Sequence, residues 1–158
     1  MFPTTPGSAS PDYNGGQLDA FVLTLDLFLQ GAEPFGSSTA SCRGPLLLNA
    51  TRMPAPGASD FSLYLTGAPP LSSGLILFGT AVTTPTSVLG AGLWLDRQRY
   101  IGRAFVVTDA DGYMDHPLPI SLATSGRRIS AQAWIRNTQL CPGTGTWSAS
   151  NGLTITVQ

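Results

Sequence analysis

The residues best suited to acid–base or nucleophilic chemistry are few and scattered in this sequence. His116 is the only histidine, so any Ser–His–Asp arrangement would have to use it, and no G-x-S-x-G elbow is present. Glu33 is the only glutamate, and the aspartates form no recognisable pair of the kind that a glycosidase needs. The sequence therefore predicts a protein that is not an enzyme, with no catalytic residue and no cofactor.

Three aspartates, Asp109, Asp111 and Asp115, alternate around Gly112 in a pattern that resembles calcium-binding loops. The glutamate and the full ligand spacing of an EF-hand are absent. An Asp-Gly pair between two strand-like runs, 105–108 and 118–120, is more simply the turn of a hairpin. We therefore predict a turn and no metal, with a calcium site on these aspartates as the alternative.

The two cysteines, Cys42 and Cys141, lie far apart, outside any C-x-x-C pair and without a histidine cluster that could complete a zinc site. We predict a disulfide between them. By closing a loop of roughly 100 residues, it would stabilise the fold by about 4–5 kcal/mol. Such a bond implies an oxidising compartment, and two buried thiols are the alternative.

The low charge content limits the classes of partner that this chain can bind. Only 11 % of the 158 residues are charged, all eight basic residues are arginines, and the net charge is −1. Nucleic acid needs a concentrated basic face and is excluded. A chain with so little charge repels its own copies weakly, which favours self-association. No run approaches the roughly 20 apolar residues of a membrane span.

The chain divides into an arm and one domain. Residues 1–17 are rich in Pro, Gly, Ser and Asn and are typical of a linker or arm, whereas residues 18–158 form a single predicted domain. The clearest strand is Phe21–Leu29, because its residues alternate with period two. One face of this strand carries Phe21, Leu23, Leu25, Leu27 and Leu29. Residues 31–41 are predicted as a loop.

Short strand-like runs separated by turn signals follow at the spacing of a sandwich or barrel. They are Leu46–Thr51, Phe61–Thr66, Leu75–Gly79, Leu89–Leu95, Ala104–Thr108, Leu118–Ala123, Ile129–Arg136 and Leu153–Val157. No window shows a helical stripe. The predicted fold is all-β, an antiparallel β-sandwich of about eight or nine strands with an extended N-terminal arm.

Several short motifs resemble a β-sandwich domain found near the C-termini of secreted proteins of planctomycetes and myxobacteria-like bacteria. They are FSLYLTGAPP at 61–70, GLILFG at 74–79, TDADG at 108–112, AQAWIRN at 131–137 and SNGLTITV at 150–157. The resemblance covers roughly residues 36–158. It implies a bacterial source, secretion and a β fold, and it implies no activity.

Two functions remain open. The first is a structural, self-assembling subunit of an extracellular fibre or surface layer, in which Phe21–Leu29 adds to the sheet of a neighbouring copy. The alternative for that segment is the first strand of its own sandwich.

The second function is an accessory module of a larger secreted enzyme that binds carbohydrate or a surface, with polysaccharide as its partner. It requires exposed aromatic rings on one sheet face. Trp134 lies in a patterned strand and is predicted to be buried, whereas Trp147 is predicted to be exposed.

Overall fold

The computed structural model describes residues 29–41, 43–137 and 145–158. Ten β-strands and one 3₁₀ turn, Leu122–Thr124, account for the regular structure of these residues, which contain no α-helix. The strands are β1 (Ala32–Phe35), β2 (Ala40–Ser41), β3 (Gly44–Pro45), β4 (Leu47–Ala50), β5 (Ser62–Thr66), β6 (Ser73–Val88), β7 (Ala91–Val107), β8 (Met114–Pro117), β9 (Arg128–Arg136) and β10 (Trp147–Thr156).

The strands form two main sheets in which all pairs are antiparallel. A five-stranded sheet has the order β1-β10-β9-β6-β7, and a three-stranded sheet has the order β4-β5-β8. The strands β2 and β3 form a short separate ribbon. The predicted all-β fold is confirmed as a β-sandwich, with ten strands in the described residues rather than eight or nine.

The main core lies between the two sheets and follows from alternation along the strands. Leu63 and Leu65 of β5 face Ala131, Ala133 and Ile135 of β9, and all five are fully buried. Every second residue of these strands faces the core because strand side chains alternate between the faces of a sheet. We call the opposite side of the five-stranded sheet its outer face.

The strands β6 and β7 form a long hairpin whose far part, residues 81–95, we call the hairpin tip. Leu89 and Gly90 both have positive φ, 49° and 82°, as the two-residue turn of this hairpin requires. The register shifts between Gly79 and Thr86 bend the ribbon. As a result, the hairpin tip folds over the outer face and buries Leu93 and Leu95 in a second apolar cluster.

The side chain of Gln132 on β9 ties the hairpin tip to the sheet. It is fully buried, and its Nε2 donates to the carbonyls of Gly92 and Ser150, both at 2.8 Å. The backbone N–H of Trp94 donates to its Oε1 at 3.0 Å. The Gln132 amide therefore gives Gly92 and Trp94 the hydrogen-bond partners that the backbone of a neighbouring strand would otherwise supply.

The predicted strand Leu118–Ala123 is wrong. Residues 118–121 belong to no strand, and the 3₁₀ turn Leu122–Thr124 follows, with the Ser121 side chain accepting from the N–H of Ala123 at 3.3 Å. Leu118 and Ile120 still donate their N–H groups to the carbonyls of Phe61 and Ala58, at 2.9 Å each, but β5 begins only at Ser62. The ladder therefore ends because the partner segment before Ser62 is not a strand. The predicted hairpin between 105–108 and 118–120 is wrong as well. The Asp111-Gly112 turn joins β7 in one sheet to β8 in the other.

The predicted loop 31–41 contains two short strands, β1 and β2. Their existence depends on partners that are distant in sequence, since β1 pairs with β10 from Ala32↔Ile155 to Phe35↔Gly152. The predicted break between Leu75–Gly79 and Leu89–Leu95 is also wrong. Residues 80–88 continue β6, and Leu89 lies in the turn.

Several predictions concern residues outside the described ranges: the arm 1–17, the cysteines Cys42 and Cys141, and the strand Phe21–Leu29 except for Leu29. Leu29 precedes a turn in which its carbonyl accepts from the N–H of Ala32 at 2.8 Å. No helix in the described ranges has the length and apolar character needed to cross a membrane.

Candidate interaction surface

The aspartates considered for calcium serve the turn after β7. Asp109 Oδ1 accepts from the backbone N–H groups of Asp111 and Tyr113, at 2.9 and 2.8 Å. This is an Asx-type turn. The turn that the sequence predicts at Asp111-Gly112 is therefore present, although it does not close the predicted hairpin. In the residues that the structure describes, no group of three or more His, Cys, Asp or Glu side chains lies close enough together to hold a metal ion.

His116 and Glu33, the residues considered for catalysis, lie on strands of different sheets. His116 is half-buried on β8 opposite Leu63, and across the described ranges no hydrogen bond to its imidazole is formed. Glu33 is exposed on β1, which belongs to the other sheet. Within the described ranges, therefore, neither His116 nor Glu33 is hydrogen-bonded to a serine, a threonine or another carboxylate.

Two tryptophans of the outer face line a small cavity of about 160 Å³ beneath the hairpin tip. Trp134 is 4 % exposed, as predicted, whereas Trp147 is half-buried although exposure was predicted. The indole N–H of Trp134 is buried and has no hydrogen-bond partner among the described residues. The other lining residues are Leu75, Leu77, Val88, Leu89 and Leu93. All lining side chains are apolar apart from the indole N–H groups, so the cavity offers few partners for sugar hydroxyls.

The third tryptophan, Trp94, holds the hairpin tip against the segment that follows β1. Its indole N–H donates to the carbonyl of Ser37 at 2.9 Å, and its ring lies directly over Gly36. A Cβ at Gly36 would overlap this ring, and the residue has a φ of +66°. None of the three tryptophans therefore forms an exposed platform.

Among the strands at the edges of the two main sheets in the described ranges, β7 is the longest, with 17 residues. The N–H of Thr108 donates to the carbonyl of Ser72, so these two residues form a hydrogen-bonded pair. Hydrogen-bonded and non-hydrogen-bonded pairs alternate along the antiparallel β6–β7 ladder. Counting from Thr108, the residues Arg103, Phe105 and Val107 therefore belong to non-hydrogen-bonded pairs with β6. Their N–H and C=O groups therefore point away from β6 to the open side of the sheet.

The edges formed by β1, β4 and β8 each carry a feature that hinders pairing with a further strand. On β1 the outward positions are Ala32, bonded to Leu29, and Pro34, which has no N–H. On β8 the outward positions are Asp115 and Pro117.

On β4 the edge is closed by a side chain from β10. Leu48 donates its N–H to Asn151 Oδ1 at 2.9 Å, and Asn151 Nδ2 donates to the carbonyl of Leu48 at 3.1 Å. Asn151 reaches this position because β10 has a bulge between Ala149 and Gly152.

The side chains beside the open β7 edge are unusually apolar for an exposed strand. Phe105 is 75 % exposed, and Ile101 and Val107 are each 66 % exposed. Arg103 places its guanidinium 5.2 Å from the centre of the Phe105 ring, a cation–π contact that keeps the charge on the outer face. Long edges with exposed apolar residues are uncommon, because they promote pairing with other chains.

No family model, curated protein or solved structure matches this chain.

A second, partly exposed group lies on the outward side of the three-stranded sheet. Asn49, Tyr64 and Asp115 stand side by side on β4, β5 and β8, and the Tyr113 ring stacks on Tyr64 with centroids 6.1 Å apart. Burial raises the pKa of Tyr113 above its usual value, and the negative charge of Asp115 adds to the shift. This group combines two aromatic rings with polar side chains.

The sequence prediction did not find the open edge of β7. It identified Ala104–Thr108 as a strand, but which strands end a sheet depends on pairing between distant segments. The available signal was the alternation of residues 101–107, in which Arg103 interrupts an apolar row.

Proposed function

We propose that this chain is a non-catalytic extracellular structural module that assembles with copies of itself into a fibre or surface layer. The arm 1–17 and the strand Phe21–Leu29 make the contacts between subunits. The cysteine pair and the resemblance to secreted bacterial β-domains support a location outside the cell or on its surface.

The observation that carries this proposal is the open edge of β7. Natural sandwiches blunt their edges, and β1, β4 and β8 follow that rule. Within the part of the chain that the structure describes, the β7 edge combines unpaired backbone groups with the exposed side chains of Ile101, Phe105 and Val107. A strand from another copy would satisfy the backbone groups and cover the side chains.

The low charge of the chain supports the same proposal. With only 17 formal charges spread over 158 residues, eight basic and nine acidic, repulsion between copies is weak. Dense packing of identical subunits then meets little electrostatic opposition.

The test compares the full chain with a chain that lacks residues 1–28, by light scattering and negative-stain microscopy over a range of concentrations. Circular dichroism verifies that both chains are folded. We expect large assemblies of the full chain that vanish on truncation. A full chain that stays monomeric at high concentration would contradict the proposal.

The second function that we propose, as the alternative, is an accessory carbohydrate- or surface-binding module of a larger secreted enzyme. It draws on the stacked Tyr64–Tyr113 pair beside Asn49 and Asp115, because sugars stack on aromatic rings and bond to adjacent polar groups. Affinity electrophoresis in soluble polysaccharides tests it. Tyr64→Ala should abolish retardation, whereas Tyr100→Ala, an exposed tyrosine on β7, should leave it unchanged.

A further inference from the structure

We propose that the strand Phe21–Leu29 of one copy adds antiparallel to the β7 edge of the next copy, with Asp26 opposite Arg103. This inference rests on the proposed self-assembly and names the acceptor surface and the register of that contact.

The chain cannot use Phe21–Leu29 to cover its own β7 edge. The end of this segment, Leu29, is held beside Ala32 at the start of β1. The strands β1 and β7 form opposite edges of the five-stranded sheet, four strand spacings apart, or about 19 Å. Crossing that distance would take about six extended residues, which would leave too few to form the strand.

The nearer edge, β1, is a poor acceptor for the same segment. Of its outward positions, Ala32 already donates its N–H to Leu29, and Pro34 has no N–H to donate. A strand laid along β1 would therefore gain no N–H donor from that edge. The β7 edge of another copy offers the N–H groups of Arg103, Phe105 and Val107 instead.

Charge sets the register. Asp26 is the only charged residue in 21–29, and Arg103 is the only one in 101–107. Opposite charges on directly paired residues stabilise a strand pair. Placing Asp26 opposite Arg103 in an antiparallel pair, the arrangement of every other pair in the fold, puts Thr24 opposite Phe105 and Val22 opposite Val107.

The same register buries the leucines. Because side chains alternate, Leu23 and Leu25 then lie on the core side, level with Val106 and Ala104. Ala104 packs against the edge of the main core together with Leu118 and Ile120, and all three are only partly buried. The leucine row therefore extends the core at the side where it is open.

Each copy then carries one donor strand and one acceptor edge at opposite ends of its sheet. Such a contact is heterologous, and when the rotation between copies does not close a ring it continues as a filament.

The test is a charge exchange in the full chain, read by the concentration at which assemblies appear in light scattering. Arg103→Asp and Asp26→Arg should each raise this concentration by about tenfold, because each replaces an attraction with a repulsion. The double variant should restore it. Arg127→Asp, at an exposed arginine outside the β7 edge, is the matched control and should change nothing.

Hydrogen exchange of the wild-type chain supplies the second measurement. In assemblies, the amides of Arg103, Phe105 and Val107 should become protected, whereas in the dilute monomer they should exchange freely. Circular dichroism verifies the fold of every variant, and Arg103, the substituted residue on β7, is exposed.

The outcomes separate the two proposals. Assemblies that form unchanged with Arg103→Asp, without protection of these amides, would overturn the strand addition and leave self-assembly standing. Failure of the double variant to recover would overturn the register and with it this inference. A wild-type chain that never assembles would overturn both. A closed dimer with the expected exchange behaviour would support the strand pairing and contradict the fibre.

Discussion

Replacing Gln132 should weaken the attachment of the hairpin tip to the five-stranded sheet and lower the stability of the fold. In Gln132→Leu the side chain keeps its approximate volume but loses its three hydrogen bonds, to Trp94, Gly92 and Ser150. The carbonyl of Ser150 is left without this partner in a buried place, whereas the N–H of Trp94 and the carbonyl of Gly92 belong to half-buried residues and can be hydrated.

The magnitude follows from these bonds. Each contributes about 1 kcal/mol net, and a buried group left unpaired costs about 1–3 kcal/mol. With the groups of Trp94 and Gly92 rehydrated, we expect the free energy of unfolding to fall by about 3 kcal/mol. For a chain of this size, that corresponds to a fall in Tm of about 6–12 °C.

Urea unfolding followed by tryptophan fluorescence measures the change, since Trp94 and Trp134 lie on either side of Gln132. The matched control is Gln98→Leu, at an exposed glutamine in the bend of β7, which should change stability by less than about 0.5 kcal/mol. A loss below about 1 kcal/mol for Gln132→Leu would refute the view that these bonds hold the hairpin tip.

The remaining predictions concern an edge, a turn and a titration. Asn151→Ala should lower the free energy of unfolding by about 2–3 kcal/mol in urea melts, because both backbone groups of Leu48 lose their partner. Leu89→Asn should raise it by about 1 kcal/mol, because Asn tolerates the positive φ at this turn, and unchanged stability would contradict this. In alkaline absorbance titrations Tyr113 should ionise above pH 10.0, and Asp115→Asn should lower its pKa. Because the folded pKa is raised, its stabilising contribution is complete below pH 10.0 and is lost as the pH rises through the folded pKa.

Local patterns predicted the fold class because they depend on neighbours along the chain. Alternation in 129–136 and 61–66 indicated strands, and Asp111-Gly112 indicated a turn, and all three are confirmed. The prediction failed where partners are distant. The strand β1 exists because β10 lies beside it, whereas residues 118–121 form no strand because the partners of Leu118 and Ile120 lie outside β5.

Burial on β9 shows the same limit. The alternation of residues 129–135 predicted a half-buried strand, in which Gln132 is one of the polar positions. Gln132 is fully buried, because the hairpin tip, 40 residues away in sequence at Gly92, folds over its face of the sheet. A periodic pattern gives the two faces of a strand, but it contains no information about what covers each face.

The sequence by itself determined the class of this protein: an all-β chain, poor in charge, with strands set by period-two alternation and turns set by Gly, Pro, Asn and Asp. Only the tertiary structure decided which strands became edges and which of those edges stayed open. Edges are defined by hydrogen bonds between segments far apart in sequence, such as Asn151 with Leu48. For that reason the exposed row beside Arg103, which carries the proposed function, could be recognised only once the sheets were assembled.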